Sequence, residues 1–122
     1  MNRPTPPPTD IKLRRKSREL EVVFADGVSA VLSAELLRVH SPSAEVTGHS
    51  AGEGLLVAGK AGVGIDRVDP VGRYAVRLVF DDGHDTGLFT WPILYELACD
   101  QDSKWQRYLE RLEEAGLSRT AE

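Results

Sequence analysis

Two stretches of the chain alternate apolar and polar positions with the period of a strand, and each runs into a glycine turn. In the first, Leu20, Val22 and Phe24 are set off by Glu21 and Val23, and Ala25-Asp26-Gly27 follows. Val28, Ala30 and Leu32 then resume the alternation, and Ser33 is placed to cap a short helix over Ala34–Val39. In the second, Tyr74, Val76, Leu78 and Phe80 alternate before Asp81-Asp82-Gly83. Leu88 and Phe89 lie on the return strand, and Thr90 is placed to cap a helix whose first turn holds Pro92. Ile93, Leu94, Leu97 and Ala98 give that helix an apolar stripe. The pattern predicts two hairpin-plus-helix units in one mixed or antiparallel sheet. Duplication and convergent turn chemistry both account for the likeness of Phe24-Ala25-Asp26-Gly27 to Phe80-Asp81-Asp82-Gly83.

The rest of the chain reads less sharply. Residues 1–10 hold four of the seven prolines and are expected to be a disordered tail, with a proline-rich docking ligand as the sharper alternative. Six glycines crowd residues 48–64, where Leu55-Leu56-Val57-Ala58 is a candidate short strand. Ile65 is expected to start another strand, ended by Asp69-Pro70. A final helix is expected from about Asp102 or Ser103. Its face would be Trp105, Tyr108, Leu109 and Leu112, and Gly116 its stop. The class is therefore α+β, with residues 11–99 as the domain and 100–122 as a C-terminal helix and tail.

Composition narrows the function. The chain has 122 residues, 41% apolar and 28% charged, enough for one buried core without metals or disulfides. Its formal net charge of -4 argues against a nucleic-acid binder, though it leaves room for a local basic patch. No run approaches the ~20 apolar residues that cross a bilayer. No membrane is expected as a partner, and a cytoplasmic setting fits the single cysteine, Cys99. Cys99 is expected to be a small buried hydrophobe, since no neighbouring base would make it a nucleophile.

Two motifs need weighing. Gly54-Leu55-Leu56-Val57-Ala58-Gly59-Lys60 has the spacing of a phosphate-binding loop. Ala61 stands where Ser or Thr is required, and no helix signal follows, so the match reads as coincidence. His84 lies between Asp82 and Asp85. One reading makes it a metal ligand with His49, and with His40 or Asp82, for iron or zinc. The other makes Asp82 and Asp85 turn-forming side chains, with His84 bridging to a neighbouring loop.

Several separated motifs then resemble one family. These are Leu36-Leu37-Arg38-Val39-His40-Ser41-Pro42-Ser43-Ala44-Glu45-Val46, Gly48-His49, Val68-Asp69-Pro70-Val71-Gly72-Arg73-Tyr74, Phe80-Asp81-Asp82-Gly83-His84-Asp85-Thr86-Gly87 and Trp91. They resemble the gamma-butyrobetaine hydroxylase-like N-terminal domain, a domain of unknown function, in its stand-alone bacterial form. The resemblance implies a small α+β domain. In the hydroxylases it precedes an iron- and 2-oxoglutarate-dependent catalytic domain and holds a structural zinc on three cysteines and a histidine. Similar domains are joined to ATPases that carry iron–sulfur clusters. His84 matches the zinc histidine, but the cysteine positions fall at Ser41, Ser43 and Val46, which do not ligate zinc in that way.

The resulting expectation is a non-catalytic module with no required cofactor. It would dock on a partner enzyme or an iron–sulfur assembly factor. The expected surface comprises Arg38, His49, Asp82, His84, Asp85 and Trp91. The alternative is an iron- or zinc-binding protein.

Overall fold

The computed structural model describes residues 5–41 and 56–120. Among the described residues, six strands and two helices follow the order β1 (Pro8–Arg14), β2 (Glu19–Phe24), β3 (Ser29–Ser33), α1 (Ala34–Val39), β4 (Ile65–Val71), β5 (Ala75–Phe80), β6 (Gly87–Thr90) and α2 (Trp91–Ala115). The class is α+β. The strands form two three-stranded antiparallel sheets, β1-β2-β3 and β4-β5-β6, where the alternation alone suggested a single one. The two sheets meet where β1 touches β4, and the Arg15 guanidinium donates to the Asp66 carbonyl from Nε (3.1 Å) and Nη2 (2.7 Å).

Each sheet is a meander followed by a helix, and the likeness of the two units reaches individual hydrogen bonds. In the first turn, Phe24 N–H donates to Val28 O and Gly27 N–H to Phe24 O. In the second, Phe80 N–H donates to His84 O and Gly83 N–H to Phe80 O. Gly27 and Gly83 have φ of 94° and 93°, values that glycine adopts without steric cost. Asp26 Oδ1 accepts from Val28 N–H and Asp82 Oδ1 from His84 N–H, both at 3.0 Å. The leading strands match too: each shifts register by one residue opposite the same phenylalanine, at Pro8/Asp10 facing Phe24 and at Ile65/Arg67 facing Phe80.

The helices cross over. The fifth residue of α1, Arg38, reaches Asp82 of the second unit's turn, with Nε 2.8 Å from Oδ2. The fifth residue of α2, Tyr95, reaches Asp26 of the first unit's turn, with its hydroxyl 2.6 Å from Oδ2. Hydrogen bonding to Asp26 pushes the Tyr95 hydroxyl up to about 12. Each turn aspartate thus ties its own turn with one oxygen and the opposite helix with the other. Between the layers lies one core, in which Leu20, Phe24, Leu37, Phe80, Phe89 and Leu94 are essentially fully buried. Side chains of this size each contribute about 2 kcal/mol or more when taken out of water.

Several sequence expectations need correction. Pro8–Asp10 belong to β1, so the tail reading does not extend to residue 10. Residues 56–58 carry no strand. β4 runs through Asp69 and Pro70 to Val71; Pro70 N needs no partner because β4 is an edge of its sheet. Ser33 Oγ accepts from Leu36 N–H as a cap should, but Thr90, though at the N-cap with extended backbone, makes no side-chain cap bond. The final helix begins close to where it was expected, but it is joined to the helix before it: α2 from Trp91 is two helical stretches that meet at a kink, at the non-helical Asp100 (φ −116°, ψ 21°). Gly116 does end it, at φ 70°, with Leu117 N–H donating to Leu112 O. Cys99 is exposed rather than buried.

Beyond α2 the chain turns back. Gly59 N–H donates to Ser118 O and Ala61 N–H to Arg119 O, both at 2.9 Å. This places Arg119 over Glu35 of α1 in a bidentate pair (Nε–Oε2 2.9 Å, Nη2–Oε1 2.8 Å) and over the Trp105 ring at 5.1 Å.

Candidate functional site

The second turn gathers the chain's densest chemistry because three segments converge on one carboxylate. Asp82 Oδ2 accepts from Arg38 Nε at 2.8 Å and lies 2.6 Å from Lys60 Nζ, while Oδ1 holds the His84 N–H. All three charged side chains are largely covered: Arg38 keeps 14% of its surface, Asp82 18% and Lys60 22%. Partial burial pushes the Asp82 carboxyl up. Lys60, the His84 N–H and Arg38 outweigh it and bring the group down to about 2. Asp82 is therefore ionised at any physiological pH and is a poor base.

His84 leans the other way. Its Nε2 lies 2.9 Å from Ser41 Oγ, just beyond the end of α1, and its ring sits 5.9 Å from that of Phe80. Gly87, at the start of β6, makes room for this contact: a Cβ at Gly87 would overlap Ser41 Oγ. Neighbouring Asp81 closes the turn's base, its Oδ1 accepting from Gly64 N–H at 3.0 Å and its own N–H donating to Gly64 O. The bridging of His84 to a neighbouring loop, one of the two sequence readings, is thus what the structure contains. A Gly87→Ala variant is expected to push Ser41 away and cost about 1–2 kcal/mol. A changed His84 ring signal in NMR, with the Phe80 signals little altered, would check it.

The other expected site residues separate. Asp85 is exposed on the lip of the same turn. Trp91 is not part of that surface. Leu78 pairs with Gly87 next to the turn, whereas Ala75 pairs with Thr90 at the far end of the hairpin. Three strand residues, on the order of 10 Å, separate these pairs, and Trp91 lies beyond the second. Its indole N–H donates to Arg73 O at 2.7 Å, a structural tie. His40 closes α1, its Nδ1 donating to Leu36 O at 2.9 Å, and its ring packs toward Tyr108 on α2. Burial, then the nearby Lys104 and Arg111, lower its affinity for a proton, against the pull of the Leu36 carbonyl and Glu96. His49 lies outside the described residues.

Among the described residues no three His, Cys, Asp or Glu groups come together as metal ligands. The described donors among those named for iron or zinc have other partners: Asp82 two cations, His84 Ser41, and His40 a carbonyl. The Ser41–His84 contact has the distance of a nucleophile and its base. The adjacent carboxylate that would complete a triad, Asp82, is committed to Arg38, Lys60 and the His84 main chain.

Two residues of this site escaped the sequence. Lys60 was visible only as the end of a phosphate-loop spacing. Gly54 and Leu55 of that motif lie outside the described residues; the residues directly after Lys60 form no helix, and Ile65 opens a strand. Ser41 stood out only through the resemblance, at a cysteine position of the hydroxylase zinc site. Its hydrogen bond to His84 joins the two positions that the resemblance pairs.

Comparison with known proteins agrees with this architecture. The gamma-butyrobetaine hydroxylase-like N-terminal family matches residues 11–95. The chain belongs to this family. Two structures determined by NMR in solution are similar to it over 98% of its length. One has 49% identity, a TM-score of 0.85 and 94% of its own chain covered; the other has 55%, 0.83 and 90%. A crystal structure at 1.93 Å of a protein of unknown function, from the DUF971 family of Acidithiobacillus ferrooxidans ATCC 23270, is 41% identical. That match covers 80% of this chain and 98% of the other, with a TM-score of 0.65. No curated protein matches the chain. No helix among the described residues is long and apolar enough to cross a membrane.

Proposed function

We propose that this family member is a non-catalytic accessory domain that works in the cytoplasm and docks on a protein partner through the corner around Asp82. The docking face comprises Arg38, Asp82, His84 and Asp85, with Lys60 added and Trp91 removed. One observation carries this reading: Asp82 is held by two cations and a main-chain N–H drawn from three separate segments. Such a corner is rigid before any partner arrives, so little conformational entropy is lost on docking. The outer residue, Asp85, supplies exposed charge without being needed for the fold. The kind of partner, an enzyme or an iron–sulfur assembly factor, follows from the family resemblance.

The test separates surface from scaffold. Asp85→Lys is expected to leave the melting temperature within about 2 °C, because exposed substitutions cost little. The same variant is expected to weaken association with a purified partner by tenfold or more, by reversing a charge at the interface. Unchanged affinity in Asp85→Lys and in His84→Ala together would refute the assigned face.

A further inference from the structure

Lys60, one of the two cations on Asp82, lies between two residues whose main-chain N–H groups hold the C-terminal tail. Gly59 donates to Ser118 O and Ala61 to Arg119 O, both at 2.9 Å. The Lys60 ammonium meanwhile lies 2.6 Å from Asp82 Oδ2. The same few residues therefore meet the tail with their backbone and the docking corner with a side chain.

Both ends of this connection return to α1. Glu35, in its first turn, takes Arg119 through both carboxylate oxygens, at 2.8 and 2.9 Å. Arg38, in its last turn, takes Asp82 at 2.8 Å. The contacts close a circuit. It runs from Glu35 to Arg119, along the main chain to Ala61 and Lys60, on to Asp82, and back through Arg38 to the same helix. Arg119 is the most exposed charged group in it, at 47%. Residues 117–120 are all exposed, so polar contacts rather than buried apolar surface hold them. Segments of that kind open locally at low cost. Lys60 depends on this weakest link. A lysine side chain gives up much rotamer freedom when it is held in one geometry. It stays on Asp82 only while its backbone is presented in the right place.

We propose that the C-terminal tail is a strap that sets the docking corner: latched on Glu35, Arg119 holds residues 59–61 where Lys60 clamps Asp82, and release of the tail frees Lys60. The latched chain is the state that docks. Opening leaves Asp82 with Arg38 and the His84 N–H, a looser corner with one cation fewer. The consequence for docking rests on the reading of that corner as the docking face; the coupling itself belongs to the isolated domain. Coupling between two ends is reciprocal, so loosening the corner also loosens the tail.

Two full-chain variants test the strap, one at each end, both first shown to be folded by their melting curves. In Arg119→Gln, trace acetylation of Lys60, measured against the exposed Lys12, should run about fivefold faster or more than in the native chain, the low end of ordinary coupling between sites. Deleting a positive charge by itself favours the protonated, unreactive amine, so a through-space effect has the opposite sign. In Asp82→Asn, the Gly59 and Ala61 amide hydrogens should exchange about fivefold faster or more, relative to the amides of β5, which report global opening. Lys60 labelling unchanged or slowed in Arg119→Gln would overturn the strap. So would Gly59 and Ala61 exchange that only keeps pace with β5 in Asp82→Asn. Should either variant fail to fold, the other decides alone. Neither measurement involves a partner. A docking face refuted by Asp85→Lys and His84→Ala would leave the strap standing, and a failed strap would leave that face.

Discussion

Arg119→Ala is expected to destabilise the domain by about 2–3 kcal/mol and to lower its melting temperature by roughly 10 °C. Glu35 keeps only 6% of its surface, and both of its carboxylate oxygens are bonded by Arg119. Removing the arginine leaves a buried carboxylate without its donor, the costly half of breaking such a pair. The stacking of the guanidinium over Trp105 is lost as well, a contribution of about 0.5–1 kcal/mol. Arg119 itself is about half exposed, which limits the loss. Glu35→Gln should be milder, since an amide oxygen still accepts one hydrogen bond. The double variant Glu35→Ala with Arg119→Ala should recover part of the loss, because no buried charge is then stranded. Urea melts of Arg119→Ala, Glu35→Ala and the double variant give the coupling; additive losses would show that the pair does not hold the tail to α1.

Asp82→Asn should remove a component of stability that depends on pH. The carboxyl is lowered from its usual value of 3.8 to about 2. A group held below its unfolded value stabilises the fold above the unfolded pKa, and that contribution fades as pH falls through the folded one. The window therefore runs from about pH 4 down to about pH 2. A shift of this size corresponds to about 2 kcal/mol. Solvent screening of a part-exposed group reduces this to about 1–2 kcal/mol. At pH 6 the asparagine variant should be less stable than the native chain by that amount, with Arg38 and Lys60 left facing each other. At pH 2 most of the difference should be gone. Denaturant midpoints measured at the two pH values check this, and a gap that stays constant would remove Asp82 from its role as the anchor of the corner.

The parts of the fold that local rules govern were legible in the sequence. Leu20, Val22 and Phe24 declared β2 by alternation, and Gly27 and Gly83 declared their turns by a backbone conformation few other residues adopt. Ser33 declared the start of α1 and Gly116 the end of α2. What long-range contact decides was not legible. Pro70 read as the end of a strand, yet it sits inside β4 because an edge strand can spare its N–H. The start of a final helix near Asp102 was legible; that it joins the preceding helix at the Asp100 kink, with Leu97 and Tyr108 buried on either side, was not. The division into two sheets has no local signal, since the alternation of a strand is the same in one sheet or two.

The candidate site follows the same rule. Asp82 and His84 announced themselves by crowding a turn, and their mutual hydrogen bond is local. Arg38, Lys60 and Ser41 reach the turn from residues distant in sequence, and no spacing encodes that convergence. Trp91 is close to the turn in sequence but lies at the opposite end of the hairpin, so proximity along the chain misplaced it. The pair of Arg119 with Glu35 spans almost the whole domain and left no trace in any motif.

The most direct test of the docking corner is site-specific photo-crosslinking in cells, with the cross-linking amino acid at Asp85 and, as a control, at the exposed Glu113 on the far part of α2. One discrete adduct is expected from position 85, competed away by the untagged native domain and absent from position 113. Equal labelling at both positions, or an Asp85 adduct that the native domain cannot compete away, would contradict the docking corner.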